Sequence, residues 1–387
     1  MRSIENIPNI KNYENKGKVF LMGYTNPPGI NEAKNTVYSD NNHEKKKEEK
    51  LKKEKLREVK EMEKYIQTNS PKLAESLELV DFRDSGGESN VFNIFIKNKR
   101  KDGKLVKKKA IMKAILSHRR EKEIQRQIII SNKLKNKNII DYYGCSKLPD
   151  QTVLMFMEEA KYGHLRNFER NTLKRMTFSE SMLCFLGSQI LKGIAHCHRC
   201  KVAHLDIKLQ NVVVDEYLNA KLIDFSISIN YRKRKNEKIT LPCRGTNFYM
   251  PLEVLKSKEI KIQDISKVDL YGFGVLLYNL AFNRYPHNLT HGDEDNYEEI
   301  IRKIENNEIT FEENNYYSSY FLDFLKQLLE VDINKRISLS EALNHYWITG
   351  AELLFEEKEK CCNAAIFTSY LLTNHIKSFN DYIQKKC

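Results

Sequence analysis

The sequence predicts an α+β fold in two parts, a strand-rich part followed by a helix-rich one. Two observations carry that prediction. Early in the chain the apolar residues fall in short β-branched and aromatic runs, Leu77 to Phe82, Val91 to Ile96, Ala110 to Ile115 and Val153 to Met157, interrupted by one helical stretch from Arg119 to Leu134. Beyond about Leu165 the periodicity is helical, in Ser179 to Cys197, Val268 to Phe282, Tyr297 to Ile304 and Tyr320 to Leu329. Such an order suggests two lobes with a cleft between them.

Composition bounds what the two parts can do. The 387 residues suffice for one large domain with flanking segments, and a hydrophobic fraction of 41% supplies its core. Lys and Asn dominate the polar positions, as an AT-rich genome would leave them. The net charge of +13 is spread along the chain without a basic, aromatic-interleaved motif, so no specific nucleic-acid partner is expected. Eight cysteines are scattered, no apolar leader opens the chain, and no run reaches the ~18–20 apolar residues of a membrane span. The expected setting is reducing and intracellular, in the cytoplasm or the nucleus, with free thiols and a monomeric chain. No lipidation is signalled, since Met1 is not followed by Gly and Cys387 is last.

The flanks read differently from the middle. Residues 1–70 form an extension whose first part carries turn signals such as Asn26-Pro27-Pro28-Gly29. From His43 to Lys64 Lys and Glu take over, and the pairs Glu48/Lys52 and Glu49/Lys53 are spaced to support a helix. Leu51, Val59, Met62 and Ile66 are too sparse for a coiled coil, so this stretch is expected to be a solvated charged helix or disordered. A domain then runs over 76–348, and 349–387 is a tail.

The strongest chemical signal is His204-Leu205-Asp206-Ile207-Lys208-Leu209-Gln210-Asn211, with Asp224-Phe225-Ser226 following after an apolar run. In-line phosphoryl transfer needs a carboxylate at the attacking hydroxyl, a cation near the moving phosphoryl and oxygen ligands that hold Mg²⁺ on the nucleotide. Asp206, Lys208, Asn211 and Asp224 are residue types that fill those roles.

These residues resemble the catalytic and metal loops of the eukaryotic protein kinases, in the serine/threonine group. Further landmarks follow in the family's order. Ala110-Ile111-Met112-Lys113 resembles the strand whose Lys grips the α- and β-phosphates of ATP. Gly245-Thr246 to Glu253 resembles the end of the activation segment. Asp269 opens a run similar to the buried central helix and would hold the catalytic-loop backbone at His204. Arg336 resembles the late Arg that pairs with Glu253, and His345-Tyr346-Trp347-Ile348 the end of the domain. The resemblance implies a small β-rich N-lobe with a five-stranded antiparallel sheet and a large helical C-lobe. It implies ATP and Mg²⁺ as nucleotide and metal, and Ser or Thr of other proteins as acceptors. Asp206, Lys208 and Lys113 would be catalytic, and Asn211 and Asp224 metal ligands. Gly86, Gly87, Val91, Lys113, Glu158, Ala160, Asn211 and Asp224 would contact nucleotide, with Met157 as gatekeeper. Lys208 two places after Asp206, together with Thr246, carries the serine/threonine assignment.

The chain departs from the family pattern at defined places. The glycine-rich loop reads Asp84-Ser85-Gly86-Gly87-Glu88-Ser89, with Gly at only one of the three expected positions. Counting back from Asn138, the residue that should offer Lys113 a carboxylate is Gln127, with Glu123 one turn earlier on the same face. Leu205 stands where an Arg would bind a phosphate on the activation segment, and Ser226 replaces a Gly. The segment itself carries the basic run Arg232 to Lys235, with Thr240 as a candidate phosphosite. A pseudokinase is the first rival, on the strength of Gln127, Ser226 and the thin glycine loop, and a small-molecule phosphotransferase the second. His196-Cys197-His198-Arg199-Cys200 could be read as a zinc site, but its ligands sit on one helix end rather than on two converging turns.

Overall fold

The computed structural model describes residues 41–86, 89–100, 102–115, 121–172, 178–231, 237–307, 309–311 and 317–360. Gly87, the basic run 232–235, the turn at Asn26 and the tail beyond Lys360 lie outside them. The chain divides into two compact units, Met1–Leu116 with Tyr143–Phe156, and Ser117–Tyr142 with Met157–Cys387.

The first unit is built on a five-stranded antiparallel sheet, β1 (Leu77–Gly86), β2 (Ser89–Lys99), β3 (Leu105–Ile115), β4 (Tyr142–Lys147) and β5 (Val153–Met157), in the order β1-β2-β3-β5-β4. The expected runs all lie in strands. β4 was not among them, because Tyr142-Tyr143-Gly144-Cys145-Ser146-Lys147 lacks an alternating apolar pattern. The β2–β3 ladder runs without a break from Ser89 opposite Ile115 to Lys99 opposite Leu105. Its turn is set by Gly103 at φ +78° and by the Lys104 N–H donating to Asp102 Oδ1, 3.1 Å. Val91 stands opposite Lys113 and Phe92 opposite Met112, so period-2 alternation puts Val91 and Lys113 on one face and Phe92, Ile94, Ile96 and Met112 on the other.

That second face is covered by the chain's own extension. Helix α1 (Asn41–Asn69) and the short α2 (Pro71–Ser76) precede the sheet, and Val59, Met62, Ile66 and Leu73 join Phe92, Ile94, Met112, Leu154 and Phe156 in one buried cluster. The Lys/Glu stretch is therefore a helix, but one that is solvated on part of its circumference only. Val59, Met62 and Ile66 recur at i, i+3 and i+7, which is too thin a stripe for a coiled coil and sufficient for one face against a sheet. Tyr65 fixes the helix end, its hydroxyl donating to the Asp150 carboxylate and to Thr152 Oγ1, 2.8 Å, at the β4–β5 turn.

The second unit is mostly helical: α3 (Glu121–Lys133), α4 (Leu165–Thr172), α5 (Glu180–Arg199), α6 (Leu252–Leu255), α7 (Ile265–Phe282), α8 (Tyr297–Glu305), α9 (Ser319–Leu328), α10 (Leu339–Asn344), α11 (Tyr346–Thr349) and α12 (Ala351–Lys360). α5 and α7 are buried along most of their length, which is why their apolar residues run nearly all round the axis instead of forming a stripe. Ser179 caps α5 by accepting from the Met182 N–H, and α7 ends at Asn283 in the left-handed region, φ +51°. Short strands carry the loops between: β6 (Gly163–His164), β8 (Val212–Val214) and β9 (Ala220–Leu222) form one sheet. β7 (Val202–Ala203) pairs with β10 (Ile229–Asn230), and β11 (Lys238–Thr240) with β12 (Glu259–Lys261). These strands are too short to register as periodic runs.

Candidate functional site

The loop between β7 and β8 is fixed from below by α7. Asp269 accepts from the backbone N–H of Leu205 at Oδ1, 2.7 Å, and of His204 at Oδ2, 2.9 Å. His198 Nε2 adds a contact to Oδ2 at 2.7 Å, and its Nδ1 meets the Tyr231 hydroxyl at 2.9 Å. Burial alone would raise the Asp269 carboxyl; its hydrogen bond to His198, the nearness of His198 and His204, and the His204 N–H outweigh that and hold it below the ordinary value. This anchoring lets Leu205 keep φ +67°, a strained conformation for a bulky side chain. His204 Nε2 faces the Ile223 carbonyl at 3.0 Å and its Nδ1 accepts from the Asp206 N–H at 3.2 Å.

Asp206 is thereby presented with its two oxygens in different environments. Oδ2 is held by Lys208 Nζ at 2.8 Å and by Asn211 Nδ2 at 2.7 Å. Oδ1 is buried and has no hydrogen-bond partner among the described residues. Lys208 Nζ also donates to Thr246 Oγ1 at 2.9 Å, tying the catalytic loop to the activation segment. The neighbouring Gly245 has φ +121°, and a Cβ there would come within 3.2 Å of Asp206 Oδ1. A side chain there would crowd that oxygen, and the positive φ itself favours glycine.

Asn211 spends both amide hydrogens on Asp206, on its carbonyl at 2.9 Å and on Oδ2, which leaves the Asn211 carbonyl oxygen outside these bonds. Asp224, at φ +60°, accepts at Oδ1 from the Ser226 N–H and from Gln127 Nε2, both at 3.3 Å. A carboxamide oxygen and a carboxylate are the hard oxygen donors that suit Mg²⁺, so this pair fits the metal that the sequence implies. Of the two residues proposed to partner Lys113, the buried Gln127 thus reaches Asp224, and Glu123 reaches Arg244 Nη1 at 2.6 Å.

The remaining predicted residues lie as follows, each within its own unit. Gly86 closes the β1–β2 ladder opposite Ser89, and Val91 and Lys113 share one sheet face. The Glu158 N–H donates to the Asp141 carbonyl, and its carboxylate is held by Lys221 at 2.6 Å. Ala160 is buried and its carbonyl accepts from the Gly163 N–H at 3.0 Å. Glu253 takes a bidentate pair from Arg336, 2.7 and 3.2 Å, with Arg336 also donating to the Lys267, Glu330 and Val331 carbonyls.

Sequence reasoning missed three partners. His198, weighed as a zinc ligand, instead sits between Asp269 and Tyr231, and no group of three or more His, Cys, Asp or Glu able to hold a metal occurs among the described residues. Arg244 and Lys221 carried no local signal, because their acids Glu123 and Glu158 lie 121 and 63 residues away.

Comparison with known proteins agrees with this geometry. The chain is 29% identical over 230 residues to the SNF1-related protein kinase catalytic subunit alpha KIN12 of Arabidopsis thaliana, a match covering 59% of this chain and 43% of that protein. It is 28% identical over 263 residues to an Aurora kinase of Patiria pectinifera, covering 68% of this chain and 60% of the relative. To the serine/threonine-protein kinase CLA4 of Candida albicans it is 26% identical over 276 residues, covering 71% and 27%. The chain thus spans less than two thirds of the length of these relatives. Residues 85–348 match the model of the protein kinase domain, which is more than half of the chain, and the chain therefore belongs to the protein kinase family.

Proposed function

We propose that the chain is an active, ATP-dependent protein serine/threonine kinase. The observation that carries this reading is the asymmetry of Asp206, with Oδ2 held by Lys208 and Asn211 and Oδ1, buried beside Gly245, without a hydrogen-bond partner among the described residues, an acceptor that a substrate hydroxyl would satisfy. In the proposed reaction a Ser or Thr oxygen attacks the γ-phosphorus as the bond to the β-phosphate oxygen breaks, the hydroxyl proton passes to Asp206, and ADP leaves. Lys208 stabilises the charge on the moving phosphoryl, and its bond to Thr246 holds it in place. Asn211 and Asp224 would hold Mg²⁺, which neutralises phosphate charge when bound. Lys113 would position the α- and β-phosphates, with Gly86, Gly87 and Val91 around the nucleotide and the backbone of Glu158 and Ala160 at the adenine. Glu253, Arg336, His204 and Asp269 act as supports. The proposed acceptors are Ser and Thr in other proteins, and we assign no nucleic-acid partner. No helix among the described residues is long and apolar enough to cross a membrane.

One observation favours a second reading, a pseudokinase that binds nucleotide and protein partners. Gln127 brings a neutral amide to Asp224 from the helix position where the family carries a carboxylate. Transfer from labelled ATP with Mg²⁺ to a mixture of protein substrates separates the two. Asp206→Asn should abolish transfer while nucleotide still binds, and Lys113→Met should cut the rate by about 10²-fold or more. Equal transfer by parent and Asp206→Asn would remove the assignment; nucleotide binding with no transfer by the parent would favour the pseudokinase.

A further inference from the structure

The activation segment of this chain is held at both ends by one helix. On α3, Gln127 reaches Asp224 at the start of the segment and Glu123, one turn earlier on the same face, reaches Arg244 near its end. The side chains of Arg244 and Glu123 are 56% and 25% exposed, so the pair is accessible and partly screened.

Three further features hold the segment without a phosphate. Leu205, in place of a phosphate-binding Arg, lines one cavity together with Leu241, Pro242, Met250, Val254 and Arg244 itself. β11 is laddered to β12, with Ile239 opposite Ile260. Thr240 stands directly opposite Glu259 in that ladder, so a phosphate on Thr240 would face a carboxylate. Leu205 and backbone pairing thus stand where a phosphate and its arginine would act, and the nearby cation Arg244 is already engaged by Glu123.

We propose that the Glu123–Arg244 ion pair is a built-in latch that couples α3 to the end of the activation segment and makes the segment's working conformation independent of phosphorylation. Both residues are positioning residues, acting through Gln127 and Asp224 on one side and through Gly245 and Thr246 on the other. The proposal deepens the kinase reading and rests on it for its consequence in activity, but the latch itself can be tested without it.

The test uses the full chain, treated with phosphatase, in four forms: parent, Glu123→Lys, Arg244→Glu and the exchanged pair Glu123→Lys/Arg244→Glu. Hydrogen exchange is read over residues 237–246 and α3, and kcat on a generic protein substrate. Each single change should speed exchange in both places and lower kcat by about three- to fivefold, the range an accessible ion pair can supply, and the exchanged pair should restore both to within about twofold. Restoration by exchange separates a latch from a general loss of fold, and Arg244→Gln repeats the single change without reversing charge. Exchange in the single variants equal to that of the parent would overturn the latch. So would loss of most of the parent's activity on phosphatase treatment or on Thr240→Ala. A parent that shows the exchange pattern but no transfer would overturn the kinase reading and leave the latch standing.

Discussion

Replacing Ile66 by Ala tests whether the kinase domain of this chain includes its extension. Ile66 is 1% exposed, and Val59 and Met62 are each 7% exposed, all three in the cluster that covers the outer face of the sheet. Cutting a buried Ile to Ala removes its transfer free energy and leaves a cavity that a sheet cannot close, a cost of about 3 kcal/mol. For a unit of this size each kcal/mol lowers the melting temperature by roughly 2–4 °C, so the transition should fall by roughly 6–12 °C. Leu51 lies on the same helix but is 53% exposed, and Leu51→Ala should stay within about 0.5 kcal/mol of the parent. A chain starting at Pro71 should fare worse. Burying Val59, Met62 and Ile66 is worth about 1.5–3 kcal/mol each, and without them Phe92, Ile94 and Met112 lose their cover. Thermal unfolding followed by circular dichroism, with a dye that binds exposed apolar surface, gives the answer. An Ile66→Ala chain melting with the parent, or a chain from Pro71 that melts unchanged and binds no dye, would refute the docking of α1.

Two other outcomes follow from buried groups in the helical unit. Burial pushes His287 down to about 4, so above pH ~6.5 it is neutral in both states, and as pH falls the unfolded chain takes up the proton first. Stability should therefore decline between about pH 6.5 and 4, by up to ~3 kcal/mol from this residue, and His287→Asn, which tolerates the positive φ of 58° found there, should flatten that part of a urea-melt pH profile. Glu253→Ala would strand the Arg336 guanidinium, whose side chain is 0% exposed, and should cost about 3–5 kcal/mol; the paired change to Leu and Met should cost clearly less in the same melts.

The arrangement of the 204–211 loop is legible because its contacts are local in sequence. Asp206, Lys208 and Asn211 lie within one turn of chain, and the contacts that matter among them span at most five residues, so spacing alone constrains the geometry. Four of the sheet's five strands are legible for a similar reason, as the uninterrupted β2–β3 ladder needs long alternating runs and Phe92-Asn93-Ile94-Phe95-Ile96 supplies one, whereas the fifth, β4, is implied only by the resemblance. What stayed hidden depends on partners far away in the chain. Gln127 reads in sequence only as a candidate partner for Lys113, because nothing near it announces that Asp224, 97 residues on, receives its amide. The zinc reading of His198 fails on its one-helix spacing, but its actual partner Asp269, 71 residues away on another helix, leaves no local signal. Val59, Met62 and Ile66 were counted against a coiled-coil repeat and found too few, but that count asked the wrong question. A coiled coil must supply its own apolar partner at every turn, while a helix against a sheet needs apolar residues only where the sheet already offers them, and here Phe92, Ile94 and Met112 do. The apolar deficit of the extension and the apolar excess on the outer face of the sheet are two halves of one interface, and neither half identifies itself alone.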